Sequence, residues 1–277
     1  MGPVSAATAG RRIAFLDFDG TVADDRGVIP ASAVEAIVAA RRNGHLVVLA
    51  TGRSRGQLPD AVHAIGFDAL ITASGAFTEA DGVPLVEHVL PETDVARLVA
   101  AFDRLDLEYL LQGFDHDYGT EGLLMRVAAH PAWGTGPHPD LSVLASLPVA
   151  SRDSPVAKAL FVGLSAAAVG DVAAALGSDF SVITGTMPIL GSAAGEVMAV
   201  GVDKGAAAAD LLRRYGIDAA QAVAVGDSRN DLELFELCGA SIAMAGAPDE
   251  IRARADLVTT GVDEDGLRRA LESQSLV

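Results

Sequence analysis

Cysteine is almost missing from this chain: Cys238 is the only one, so no intramolecular disulfide can form. It falls in an apolar helical pattern with Leu234, Phe235 and Leu237, which predicts a buried thiol rather than a nucleophile. Basic residues are scarce beside acidic ones, 20 Lys+Arg against 37 Asp+Glu, a formal net charge of −17. No Lys/Arg cluster interrupts that field, which argues against nucleic acid and anionic membrane as partners. An anionic small substrate would need a metal or local positive charge to approach. No uncharged apolar run of about 18 residues occurs, so no membrane-spanning helix is expected. Met1 to Gly10 lacks the basic start and apolar stretch of a signal peptide and reads as a loose tail, so a cytoplasmic protein is expected. Internal repeats and low-complexity tracts are absent as well.

What is present is apolar substance: half of the 277 residues are hydrophobic, enough for a sizeable core in one or two domains. Ile13 to Leu16 is a short apolar run that Gly20 and a polar stretch bring to an end, as for a buried strand. Ser32 with Glu35 predicts a capping box for a helix whose stripe of Val34, Ile37 and Val38 stops near Gly44. Leu46 to Ala50 is a second apolar strand, and a further helix leads to a third at Ala69 to Thr72. Continuous rather than alternating apolar strands indicate burial on both faces, as in a parallel sheet between helices.

The middle reads differently. Val83 to Leu90, Leu107 to Gln112, Leu123 to Val127, Ala157 to Gly163 and Phe180 to Thr184 are predicted as strands, with helices at Glu92 to Leu105 and Ala166 to Leu176. Trp133 to Asp140 is rich in Gly, Pro and His. From Lys204 the strand–helix alternation resumes and runs to the end of the chain. The expected fold is therefore α/β: a Rossmann-like parallel-sheet core sandwiched by helices, formed by residues 1–80 and 190–277, with an inserted α+β domain over 81–189.

Asp17-Phe18-Asp19-Gly20-Thr21 places two carboxylates at the end of the first strand. Alone, the segment reads equally well as a turn, since Asp and Gly dominate turns. Company changes the balance. Ligands of open parallel sheets bind outside the carboxyl ends of the strands. Asp17, Thr51 and Asp227 all stand at such ends, and this convergence favours phosphoryl transfer. Asp17 is the expected nucleophile and Asp19 the acid/base that protonates the leaving alcohol and then activates water. Thr51, Gly52, Lys204 and Asn230 are the expected phosphate-binding groups, although Lys204 taken alone could be an ordinary surface lysine. Asp17, Asp227 and Asp231, with Asp19 beside them, are the candidate ligands of Mg2+, and Asp231 could equally orient the lysine. Arg53 is open between a phosphate contact and a structural ion pair.

At these residues the chain resembles the haloacid dehalogenase superfamily. Asp17 to Thr21 looks like its first motif and Thr51-Gly52-Arg53 its second. Lys204 within Gly201 to Gly205 resembles the third, and Gly226-Asp227-Ser228-Arg229-Asn230-Asp231 the fourth. Ile71 to Ala76, Ala243-Met244 and Asp256 to Thr259 point to the Cof-like branch, in which a large α+β (class IIB type) cap lies between the second and third motifs. Two positions depart from that branch: Ser74 stands where Asn is usual, and Ala245-Gly246 where Gly-Asn is usual. The resemblance implies a Mg2+-dependent phosphatase of small phosphorylated metabolites, often sugar phosphates, working through an aspartyl phosphate. A phosphomutase or phosphotransferase using the same intermediate, and a non-catalytic phospho-ligand binder, are the alternatives. In the cap, Arg126, His116, His130 and Lys158 are polar, but surface or strand-pairing roles are expected for them. Lys158 resembles a recurrent family lysine.

Overall fold

Two sheets divide the chain in the computed structural model, which describes residues 10–24, 26–129, 155–185 and 188–277. The first contains β1 (Ile13–Leu16), β2 (Leu46–Ala50), β3 (Ala69–Thr72), β4 (Phe77–Ala80) and β5 (Val83–Glu87). The later strands β11 (Ala222–Gly226), β12 (Ala240–Ala243) and β13 (Leu257–Val258) complete it. Its order is β13-β12-β11-β1-β2-β3-β4-β5, parallel from β13 to β3 and antiparallel beyond. β1 lies between β2 and β11, so the chain winds outward in one direction from β1 to β5 and in the other from β11 to β13. That reversal makes the switch-point crevice beside the carboxyl end of β1.

Both faces of this sheet are covered, as the unbroken apolar strands require. Ala14, Leu16, Val47, Leu49, Val223 and Val225 pack on one side with helix Ala31–Arg42 and helix Gly266–Ser273. Ile13, Phe15, Val48, Ala50 and Ala224 pack on the other with helices Lys204–Tyr215 and Leu232–Leu237. The helix after β1 begins at Ala31 behind Pro30 and uses no side-chain cap, so the expected box of Ser32 and Glu35 does not form. Pro30 stands at the N-cap instead, in extended backbone with φ −61 and ψ 145.

The second sheet is antiparallel, in the order β7-β6-β8-β10-β9, from β6 (Glu108–Gln112), β7 (Asp117–Gly119), β8 (Lys158–Val162), β9 (Phe180–Thr184) and β10 (Ala194–Ala199). Tyr109, Leu111, Ala159, Phe161 and Val197 fill one face against helices Glu92–Arg104 and Ala168–Leu176. Pairing places β5 in the first sheet and β10 in the second, so the sheets part after Glu87 and rejoin after Ala199 rather than at 81 and 189. Leu123 to Val127, expected as a strand, is the helix Leu123–Ala129. Trp133 to Asp140 and His130 lie outside the described residues. Among the described residues no helix is long and apolar enough to cross a membrane.

Candidate active site

The chain turns sharply where β1 ends. Asp17 continues the ladder, its N–H donating to Val225 O at 2.9 Å, and Gly20 then takes φ +79. A Cβ on Gly20 would collide with the Asp227 carboxylate, so glycine here meets both a backbone and a space requirement. β2 is followed directly by Thr51, fully buried, whose Oγ1 accepts from Arg53 N–H at 3.1 Å. The Thr51–Arg53 loop is held from behind. Ala73 N–H donates to Arg53 O at 2.7 Å and Ser74 N–H to Thr51 O at 3.0 Å, with Ala73 and Ser74 both at positive φ. Such non-glycine conformations persist only where surroundings impose them. Gly75, at φ +105, lies so close to Asp203 O that a Cβ would clash there, and this contact ties the loop to the start of the Lys204 helix.

Lys204 opens that helix behind Asp203, whose carboxylate accepts Ala206 N–H at 2.7 Å. Its ammonium is fully buried and donates to Asp17 Oδ1 at 2.5 Å and Asp231 Oδ1 at 2.7 Å. Asp231 is itself fully occupied. Its Oδ2 accepts the N–H groups of Asp227 and Ser228, each at 3.0 Å, and so shapes the turn that presents Asp227. Oxygens of Asp17, Asp227 and Asp231 lie within 4.8 Å of one another. Asn230, buried beside them, points its Nδ2 at Gly52, where a Cβ would stand 3.2 Å from it.

Three carboxylates around one ammonium leave an excess of negative charge. Burial pushes Asp17 up to about 8; Lys204 opposes this, while Asp231 and Asp19 add to it. Asp227 is raised well above the usual carboxylate range, first by burial and then by Asp17 and Asp231. Its Oδ1 is buried with no hydrogen-bond partner. A hard divalent cation fits this donor set, since it would occupy the orphaned oxygen and offset the surplus charge.

The structure thus gathers Asp17, Thr51, Gly52, Lys204, Asp227, Asn230 and Asp231 at one sheet edge. Asp19 stands apart from the three-carboxylate group, exposed at its mouth. Its oxygens accept from Arg53 Nη2 at 2.6 Å and Nε at 2.9 Å, and that guanidinium also lies 4.9 Å from the Phe18 ring centroid. Of the two readings open for Arg53, the ion pair is the one present. Arg126 pairs with Asp106 and Glu108, and His116 is exposed.

Sequence reasoning expected a surface or strand-pairing role for Lys158, and the structure corrects this. Fully buried on β8, it donates to Glu196 Oε2 at 2.6 Å, Ser74 Oγ at 2.8 Å and Gly52 O at 3.2 Å, so the second sheet reaches the Thr51–Arg53 loop. A lysine heading an otherwise apolar strand was the available signal. Its partner Glu196, in the unmarked run Ala194 to Ala199, gave none.

A parallel sheet with a carboxylate-and-lysine cluster at its switch point, faced by a separate antiparallel sheet, defines an α/β protein with a candidate active site in that crevice. The sequence pattern of haloacid dehalogenase-like hydrolases matches residues 14–271. The chain belongs to that family, in its Cof-like branch of phosphoric monoester hydrolases. The phosphoglycolate phosphatase of Archaeoglobus fulgidus is 28% identical over 265 residues, covering 95% of this chain and 96% of its own. Among solved structures, a haloacid dehalogenase-like hydrolase from Bacillus subtilis superposes with a TM-score of 0.80 at 20% identity, covering 94% of this chain and 99% of its own. The subclass IIB sugar phosphatase BT4131 superposes with a TM-score of 0.77 at 20% identity, over 96% of this chain and 100% of its own. These two share the fold.

Proposed function

We propose that this hydrolase is a Mg2+-dependent phosphatase of small phosphorylated metabolites, sugar phosphates foremost, that works through an aspartyl phosphate on Asp17. The observation that carries the proposal is the grip of Lys204 on Asp17 Oδ1 at 2.5 Å, beside Thr51 and Gly52, which leaves Oδ2 as the attacking oxygen. In the first step Oδ2 bonds to phosphorus, the bond from phosphorus to the leaving oxygen breaks, and Asp19 delivers a proton to that oxygen. In the second, Asp19 takes a proton from water as the water oxygen attacks phosphorus. The bond to Asp17 then breaks and inorganic phosphate departs.

Thr51 Oγ1, the Gly52 N–H and the Asn230 amide donate to the phosphoryl oxygens, while Lys204 places positive charge beneath them. Arg53, through its bidentate pair, holds Asp19 at the mouth of the site. Asp17 and Asp227, with Asp231 behind, would hold Mg2+, which when bound supplies charge neutralisation at the transferring group. The second sheet serves as the cap: its polar face covers the site, excludes water and meets the leaving group. Sugar phosphates come first because BT4131, which shares the fold, is a sugar phosphatase.

Release of inorganic phosphate from a panel of sugar, nucleotide and cofactor phosphates, with and without Mg2+, tests the proposal. Mg2+-dependent release is expected, and Asp17→Asn should reduce it by at least about 1,000-fold. Absence of release from every compound, or release undiminished in Asp17→Asn, would refute it.

A further inference from the structure

The face of the second sheet that meets the first carries a row of polar side chains. Register places Asp117 on β7 opposite Gln112 on β6, Gln112 opposite Lys158 on β8, and Lys158 opposite Met198 on β10. Glu196 lies two residues before Met198 and so shares its face. The alternate residues Leu111, Ala159 and Val197 go into the apolar core behind. Asp117, Gln112, Lys158 and Glu196 are at most 5% exposed.

The lysine donors in this row are taken. The three N–H groups of Lys158 meet Glu196, Ser74 and Gly52. Neighbouring cations are taken too: Lys204 by Asp17 and Asp231, Arg53 by Asp19, Arg55 by Glu79 and Asp115. His116, close by on the β6–β7 turn, is exposed. Acceptors, by contrast, are left over. Asp117 Oδ2 accepts from Ser54 Oγ at 2.7 Å and Gln112 Nε2 donates to Gln57 Oε1 at 3.3 Å. Asp117 Oδ1, Gln112 Oε1 and Glu196 Oε1 are buried with no hydrogen-bond partner. Buried polar atoms are almost always paired, so three orphaned oxygens on one sheet face, beside the loop of Gly52, mark places for donors from a ligand.

Resting on the phosphatase reading above, we infer that Asp117, Gln112 and Glu196 form the specificity site for the leaving group. The site takes a neutral polyhydroxy leaving group and rejects one that bears a carboxylate. Hydroxyls supply the donors that the three oxygens lack. A carboxylate brings acceptors only, and would meet two carboxylates with the buried cations Lys158 and Lys204 already paired.

The test uses the full chain loaded with Mg2+ and matched substrate pairs: sorbitol 6-phosphate against 6-phosphogluconate, and glycerol 3-phosphate against 3-phosphoglycerate. The expected kcat/KM favours the polyol member of each pair by at least about tenfold. In Asp117→Asn and Gln112→Ala, kcat/KM for the polyol esters should fall more than kcat/KM for p-nitrophenyl phosphate, which has no hydroxyls to offer. Equal or better turnover of the carboxylate members overturns the inference. So does an unchanged ratio of polyol ester to p-nitrophenyl phosphate in either variant with native melting, or hydrolysis of p-nitrophenyl phosphate alone. If p-nitrophenyl phosphate also goes unhydrolysed, the phosphatase reading itself falls, which separates the two failures.

Discussion

Lys204, at the edge of the first sheet, and Lys158, on the face of the second, are both fully buried and both meet carboxylates, yet their protonation is pulled in opposite directions. Burial is the largest influence on each and favours the neutral amine. For Lys204, the attraction of Asp17 and Asp231 together overturns it, and the ammonium is held more firmly than in water. For Lys158, Glu196, with a smaller pull from Asp117, does not offset burial, Lys204 repels it from across the seam, and its pKa is lowered. Lys204 is hydrogen-bonded to two carboxylates and Lys158 to one. The first region therefore concentrates acid around one secure cation, as the proposed metal-and-phosphate site needs, whereas the second sets one buried lysine beside Glu196 and Asp117 and leaves acceptor oxygens unpaired.

The sharpest way to break this comparison is to remove each cation. Lys204→Met leaves two buried carboxylates uncompensated and should cost about 3–5 kcal/mol, read as a drop in the denaturant midpoint. Lys158→Met strands only Glu196 and should cost measurably less under the same conditions. Equal losses would mean that the number of carboxylates does not set the difference.

A smaller effect tests the second sheet alone. Burial pushes Asp117 from 3.8 up to about 6, against the Ser54 hydrogen bond. Because the folded-state value is the higher one, its stabilising contribution is complete below pH 3.8 and is lost as pH rises through about 6. Asp117→Asn carries no such loss. Its stability relative to the parent chain should rise by about 2 kcal/mol between pH 4 and 7, since each pH unit separating the folded and unfolded values is worth roughly 1.4 kcal/mol and part of the difference already falls below pH 4. Urea titrations of both proteins across that range would show a flat difference if Asp117 were solvated. The smallest effect concerns Cys238, whose thiol burial pushes up to about 12. It should react with a disulfide reagent at pH 8 at least about 100-fold more slowly in the folded protein than in urea.

Much of the first region was legible in the sequence. β1, β2, β3, β11 and β12 are apolar almost throughout because both sheet faces are covered, and polar residues at their carboxyl ends had few places to go except the crevice. The second region was less so. Leu123 to Val127 is an apolar run too short for its periodicity to separate strand from helix, and it proved helical. β10 went unseen because Ala194 to Ala199 mixes small residues with Glu196. The capping box at Ser32 was a sound local signal that Pro30 pre-empted.

The sequence by itself determined the parallel core, the family and the set of residues at the strand ends, because burial pattern and motif spacing are local properties written in order along the chain. Tertiary structure alone decided the partnerships: Asp19 with Arg53 rather than with the other carboxylates, Asp231 as the brace of both Lys204 and the Asp227 turn, and Lys158 with Glu196 and Gly52. Those depend on charges far apart in sequence being brought within hydrogen-bond reach inside a dry seam. There the balance of burial against neighbouring charge, which no linear pattern carries, sets what each group can do.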